Sequence, residues 1–202
     1  MNDSLEFAAG RSVPRETIEK IELYAALLRA EAARQNLVSA STLDTLWERH
    51  IIDSAQLVRF EPRPGATWVD IGSGAGLPGI VVACIVDGPM TLIEPRRLRA
   101  EFLHRVCDSL QLNAVVLTER AERSRGTFDV ITARAVAPLG ELLRISQHLS
   151  TKNTLWALPK GRSAGAELAD AQMSWQGVFH VEQSVTDADS RIVVATGVGP
   201  KR

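Results

Sequence analysis

The sequence predicts an α/β fold, a mostly parallel Rossmann-like sheet with helices on both faces, preceded by an N-terminal helical extension. Three observations carry this. Before Gly65 the apolar residues recur only at helical spacing, whereas beyond it short apolar runs alternate with helical segments. Directly after the first such run comes VDIGSGAGLPGI (69–80), with glycines at 72, 74, 76 and 79. A glycine-rich turn between strand and helix lets backbone N–H groups approach a ligand with no Cβ in the way.

Taken in order, residues 15–34 place Ile18, Ile21, Ala25 and Leu28 on one face, with Pro14 and Glu16 suited to a first turn. NLVSAST breaks the pattern, and Ser41 with Asp44 resembles a capping box. Leu43, Leu46, Trp47, His50, Ile51, Ser54, Leu57 and Val58 then form a stripe predicting one continuous second helix. EPRPG (61–65) ends it, because two prolines cannot continue a helix. This divides the chain into a helical extension, 1–62, and a Rossmann-like domain, 63–202, packed as one globular unit.

Strands are predicted at TWVDI, MTLIE, AVVLT, FDVITAR, TLWAL and a late RIVVA. Helices start near Leu77 and Arg97, and a third covers APLGELLRISQHL. In such a sheet the ligand lies across the carboxyl ends of the strands, where strand order reverses. Gly72 to Gly79, Glu94, Ala121, Glu122 and Arg134 share that edge.

Composition narrows the function classes. The 202 residues are 45% hydrophobic with a net charge of −1, which excludes a uniformly basic nucleic-acid binder. Seven arginines and four acidic residues between 96 and 125 leave open a solvated mixed surface or a one-sided basic rim. No apolar run reaches the roughly 20 residues a membrane helix needs, and the N-terminus lacks a secretory pattern. Cys84 and Cys107 sit in apolar segments without metal-ligand spacing, so a cytoplasmic protein with no metal is expected. The four tryptophans fall in apolar elements and read as core.

The glycine loop contains both G-x-G-x-x-G (74–79), the dinucleotide fingerprint, and D-x-G-x-G-x-G (70–76). Glu94, ending the second strand, suits two ribose hydroxyls and fits NAD or S-adenosylmethionine alike. Asp70 discriminates: a carboxylate repels a pyrophosphate but attracts a sulfonium and an α-ammonium. S-adenosylmethionine is therefore the favoured ligand of Asp70, Gly72, Gly74, Gly76 and Glu94. Asp70 has a second reading, hydrogen bonding to the loop's own amides.

The series NLVSA, LWERHIIDS, VDIGSGAGLPGI, LIEPRRLRAEFLHRV, ERAE, VITARAVAPL and LPKG closely resembles the 16S rRNA guanine-N7 methyltransferase G family, also called the glucose-inhibited division protein B family. The matching blocks run from about residue 36 to 161. The resemblance implies a class I S-adenosylmethionine-dependent methyltransferase fold with a seven-stranded sheet and an N-terminal helical extension. It also implies methyl transfer from S-adenosylmethionine to N7 of one guanine in 16S ribosomal RNA, on naked RNA or a 30S particle; nothing in the sequence demands a dimer, so a monomer is expected. Carried over by position, cofactor contacts fall on Gly72, Leu77, Ala121, Glu122 and Arg134. The family often has Thr where this chain has Ser73, and the segment from Ser163 onward matches only loosely.

The residues agree with that acceptor. Neither cysteine follows a proline in a loop, as cytosine-C5 methylation needs, and TARAVAP lacks the Pro-Pro-aromatic loop of exocyclic amino methylation. Guanine N7 has an exposed lone pair and no proton to lose, so positioning and electrostatics suffice. Arg134 is the expected link between cofactor and guanine, with a surface arginine at a strand end as its bland alternative. Lys160 is placed with it in the catalytic edge, touching RNA phosphate. His50 reads as a packed core histidine, which Asp53 orients unless it reaches the glycine loop. An NAD-dependent oxidoreductase and a non-catalytic RNA-binding relative are the rival classes.

Overall fold

The computed structural model describes residues 2–201, apart from the side chains of Asn2, Ala40 and Ser41. Helix α1 (Asn2–Ala9), unforeseen in the sequence, buries Leu5, Ala8 and Ala9. Helix α2 (Arg15–Ala32) follows Pro14 and buries Ile18, Ile21, Tyr24, Ala25 and Leu28, the expected face extended by a tyrosine. The short α3 (Ala40–Asp44) is capped by Ser39, whose hydroxyl accepts from Thr42 N–H at 3.2 Å. The capping box expected at Ser41 rests on a side chain outside the described residues.

The stripe from Leu43 to Val58 is not one α-helix. A π-helical turn (Trp47–Ile51), a short α4 (Ile52–Ala55) and a 3-10 segment (Gln56–Phe60) replace it. The wider π turn keeps Trp47 and Ile51 in the core while His50 and Asp53 line a cavity. Ser54 Oγ donates to the His50 carbonyl at 2.6 Å, a side-chain bond that competes with the regular ladder.

Beyond Gly65 the elements are β1 (Trp68–Ile71), α5 (Gly79–Ile85), β2 (Met90–Ile93), α6 (Arg97–Leu110), β3 (Ala114–Leu117), β4 (Val130–Ala133), α7 (Leu139–Ser146), β5 (Leu155–Lys160), α8 (Ala164–Ser174), β6 (Trp175–Gln183) and β7 (Arg191–Pro200). They form one seven-stranded sheet in the order β3-β2-β1-β4-β5-β7-β6. The first five strands run parallel, and β7 pairs antiparallel with β5 and β6. Strand order reverses at β1, which lies between β2 and β4 with Asp70 level with Leu92 and Thr132. Strand β6 and helix α8 had no sequence signal. Most of β6 is exposed at the sheet edge, so neither face imposes a hydrophobic alternation.

Each face of the sheet carries a core. One joins α1, α2 and residues 46–58 to α5, α6, Trp68 and Leu92. The other joins Val69, Ile71 and Ile131 to α7, α8 and Trp156. Trp47, Trp68 and Trp156 are buried as expected, and Trp175 is half-buried. Burial pushes the Cys84 thiol up to about 12 and the Cys107 thiol up to about 11, which keeps both protonated and unreactive.

Candidate active site at the carboxyl edge of the sheet

Asp70, near the end of β1, is fully buried. Its Oδ2 accepts from Gly79 N–H at 3.3 Å and its Oδ1 from Thr132 Oγ1 at 2.9 Å, while Ser73 Oγ donates to the Asp70 carbonyl. Burial pushes the carboxyl up to about 6, opposed by the Thr132, Ser73 and Gly79 hydrogen bonds. Of its two sequence readings, the geometry displays the bond to the loop's own amide.

Gly72, Gly74 and Gly76 all take positive φ, at 64°, 57° and 97°, so the chain reverses tightly between β1 and α5. Gly79 is required for space: a Cβ there would lie 2.4 Å from Leu92 Cδ2 and 2.8 Å from Asp70 Oδ2. Leu77 is buried in the core beneath the loop, so only its backbone is available to a ligand. Below the loop, Tyr24 Oη donates to the Ala75 carbonyl at 2.9 Å.

Glu94, only 3% exposed, follows β2. Its Oε2 accepts from Gly74 N–H and its Oε1 from Arg96 N–H, both at 2.8 Å. The expected ribose carboxylate therefore braces the glycine loop, and each oxygen keeps a further lone pair. Ala121 (buried) and Glu122 (exposed) form a 3-10 turn after β3, on the same edge. Positive-φ glycines beside buried carboxylates make a cradle that fits a neutral nucleoside carrying a cationic sulfonium.

Arg134 follows β4. Its Nη1 lies 3.2 Å from His50 Nδ1 and 3.6 Å from Asp53 Oδ2. Burial first, then the charges of Arg134 and Arg49, hold the His50 imidazole down at about 4, so it is neutral at pH 7. Half-buried His50 lines the cavity instead of packing into the core as expected, and Asp53 faces Arg134 rather than the glycine loop. Asp53 Oδ1 accepts from Gln56 Nε2 at 2.7 Å and Thr186 Oγ1 at 2.9 Å. Buried Gln56 also accepts from Val185 N–H at 2.9 Å. Sequence reasoning missed Gln56, Thr186 and Ser184, whose Oγ accepts from Gln56 Nε2 at 3.1 Å, because their meeting joins segments far apart in the chain and leaves no local pattern.

Lys160 differs from its expected exposed phosphate contact. Its side chain is 9% exposed, donates to the Ala137 carbonyl at 2.8 Å and pairs with Glu167 at 2.9 Å. Glu167 also accepts from Leu139 N–H at 2.9 Å. Lys160 thus pins the 135–139 segment that follows Arg134.

Between the π turn, Arg134 and the β6–β7 connection lies a cavity of about 1170 Å³. Arg49, His50, Asp53, Arg134, Lys160 and Arg191 contribute to its wall, which mixes cations with acceptors. Arg96, Arg97, Arg120, Arg123 and Arg125 are exposed, although Arg97 is paired with Glu101. Among the described residues, no cluster of His, Cys, Asp or Glu could hold a metal ion, and no helix is long and apolar enough to cross a membrane.

Residues 17–193 match the family model described as rRNA small subunit methyltransferase G. The protein named ribosomal RNA small subunit methyltransferase G from Zymomonas mobilis is 44% identical over 199 residues, covering 94% of this chain and 90% of that protein. Its namesake from Sphingopyxis alaskensis is 48% identical over 190 residues, covering 91% and 80%. Among solved structures, MtNAS in complex with S-adenosylmethionine matches with a TM-score of 0.60 at 19% identity, covering 88% of this chain and 74% of that one. An Aquifex aeolicus SAM-dependent methyltransferase matches with a TM-score of 0.59 at 16% identity, covering 75% and 92%. At these identities the two structures speak for the fold alone.

Proposed function

The chain belongs to the rRNA small subunit methyltransferase G family, and from that premise we infer that it methylates N7 of a guanine in 16S ribosomal RNA using S-adenosylmethionine. The observation that carries the reading is the placing, at one sheet edge, of a glycine loop braced by Glu94 and of Arg134, which lines a cavity walled by both arginines and carboxylates.

We assign Gly72, Gly74, Gly76, Leu77, Glu94, Ala121, Glu122 and Arg134 to holding the cofactor, with Asp70 shaping the loop from beneath. The bound sulfonium supplies an electrophilic methyl group and leaves as a neutral thioether. Guanine N7 brings its own lone pair and loses no proton, so none of the chain's residues has to act as a base. Arg134 orients the guanine, and its fixed charge faces the base's acceptor edge. Lys160 acts through the segment it pins: it is a positioning residue, in place of the catalytic phosphate contact expected of it. The exposed arginines of 96–125 supply backbone contacts to RNA.

We further take the helical extension, 1–62, and the remainder, 63–202, to fold as one unit that acts as a cytoplasmic monomer without a metal. The shared core beneath β1 and β2 supports the folding of the two segments as one unit.

The test is methyl transfer to unmodified 30S subunits and to naked 16S RNA, with base mapping of the product. N7-methylguanine on one of them is expected; its absence on both overturns the reading. Calorimetry with S-adenosylhomocysteine and with NAD separates the oxidoreductase alternative, because tight NAD binding would refute the cofactor assignment.

A further inference from the structure

We propose that Arg134 and Asp53 form a donor–acceptor pair that selects guanine by its O6 and N1–H edge while leaving N7 free for the methyl group. The proposal rests on the methyltransferase reading above and deepens it.

Arg134 Nη1 and Asp53 Oδ2 are 3.6 Å apart, too far for a full hydrogen bond, so each retains capacity for a ligand. Both are partly buried, and both line the same cavity. Neither is free to swing. Asp53 Oδ1 is held by Gln56 and Thr186, which leaves Oδ2 as its available oxygen. Arg134 Nη1 is anchored on His50 Nδ1. Because the guanidinium occupies Nδ1, the neutral imidazole carries its proton on Nε2.

The result is a fixed cationic donor beside a fixed anionic acceptor. Guanine presents the complement, the O6 acceptor next to the N1–H donor. Adenine presents the reverse: its amino group would face the guanidinium and its N1 lone pair the carboxylate. Rejection of the wrong base therefore comes from two unpaired, repelling contacts as well as from two lost hydrogen bonds. The pairing also resolves a conflict at Arg134. An arginine donating to N7 would occupy the lone pair that must attack, whereas donation to O6 leaves it free.

The experiment uses 30S particles reconstituted with RNA bearing either guanosine or 2-aminopurine riboside at the mapped target position. 2-Aminopurine retains N7 but lacks O6, and its N1 is an acceptor. The wild-type protein is expected to favour guanosine in kcat/KM by roughly ten- to a hundredfold. Asp53→Asn, whose amide can donate to N1, is expected to shrink that preference about tenfold. A merely structural Asp53 would lower transfer to both substrates equally and leave the ratio unchanged, which would overturn the proposal. Thr186→Ala keeps the carboxylate but removes one of its anchors. It shrinks the ratio in the same direction and stands in if Asp53→Asn fails to fold. Equal wild-type transfer to both substrates sinks the selection model while leaving the methyltransferase reading intact. No N7-methylguanine on the guanosine particle removes both.

Discussion

Tyr24 Oη donates a 2.9 Å hydrogen bond to the carbonyl oxygen of Ala75, so helix α2 of the extension holds the floor of the glycine loop. The tyrosine is fully buried, and burial pushes its phenol well above its ordinary value, which keeps it a donor at every assay pH. Tyr24→Phe leaves the Ala75 carbonyl without this partner, at a cost of about 1–3 kcal/mol. We expect the affinity for S-adenosylhomocysteine to fall roughly tenfold in calorimetry, with the KM for RNA unchanged. An unaltered affinity would disconnect α2 from the cofactor loop.

Gly79→Ala tests the packing of the same loop from the other side. The added methyl meets Leu92 and Asp70 at 2.4 and 2.8 Å, and both neighbours are buried. Overpacking of this kind costs about 1–3 kcal/mol. The urea midpoint should drop accordingly, and cofactor binding should weaken with it. A variant as stable as the parent would mean that the loop yields without strain.

Lys160→Gln separates pinning from phosphate contact. Each lysine lost from an RNA phosphate reduces the salt dependence of binding by about one unit of slope. Lys160 is held by Glu167 and the Ala137 carbonyl, so transfer should fall while the salt slope of RNA binding stays as in the parent. A shallower slope would restore the phosphate contact.

His50 and Asp70 give stability opposite pH slopes. The histidine protonates at about 4 in the fold instead of 6.5, so its contribution is complete above pH 6.5 and is lost as the pH falls towards 4. Asp70 is raised from 3.8 to about 6, so its contribution is present below 3.8 and is lost as the pH rises through 6. Denaturation of His50→Gln between pH 4 and 7 should therefore show a smaller loss on acidification than the parent. Asp70→Asn should remove the opposing slope. Identical pH profiles for parent and variants would remove both groups from the linkage.

Much of this protein was legible along the chain. The alternation of short apolar runs with helical periods yielded six of the strands, the five parallel ones and antiparallel β7, because strands that pack against the core carry short apolar runs. The glycines between β1 and α5 were equally readable, because positive φ and close approach act on single residues. The sequence also assigned Gly72, Glu94, Ala121 and Arg134 to one edge of the sheet, where the structure places them, as the carboxyl ends of parallel strands align.

Other features came from tertiary structure alone. Strand β6 escaped notice because none of its residues is buried, so burial does not pattern its sequence. The stripe from Leu43 to Val58 promised one helix, but packing introduced a π turn that sends His50 and Asp53 towards Arg134. Lys160 turned from a phosphate ligand into an internal anchor once Glu167 was brought beside it. By itself the sequence determined six strands and the glycine loop, which arise from local periodicity and single-residue geometry, and its motif blocks carried the resemblance to the family. Only the tertiary structure decided the partners of Asp53, Arg134, Lys160 and Glu94. A charged side chain's role is set by whichever donors and acceptors the fold delivers within about 3–4 Å of it, and those come from distant parts of the chain.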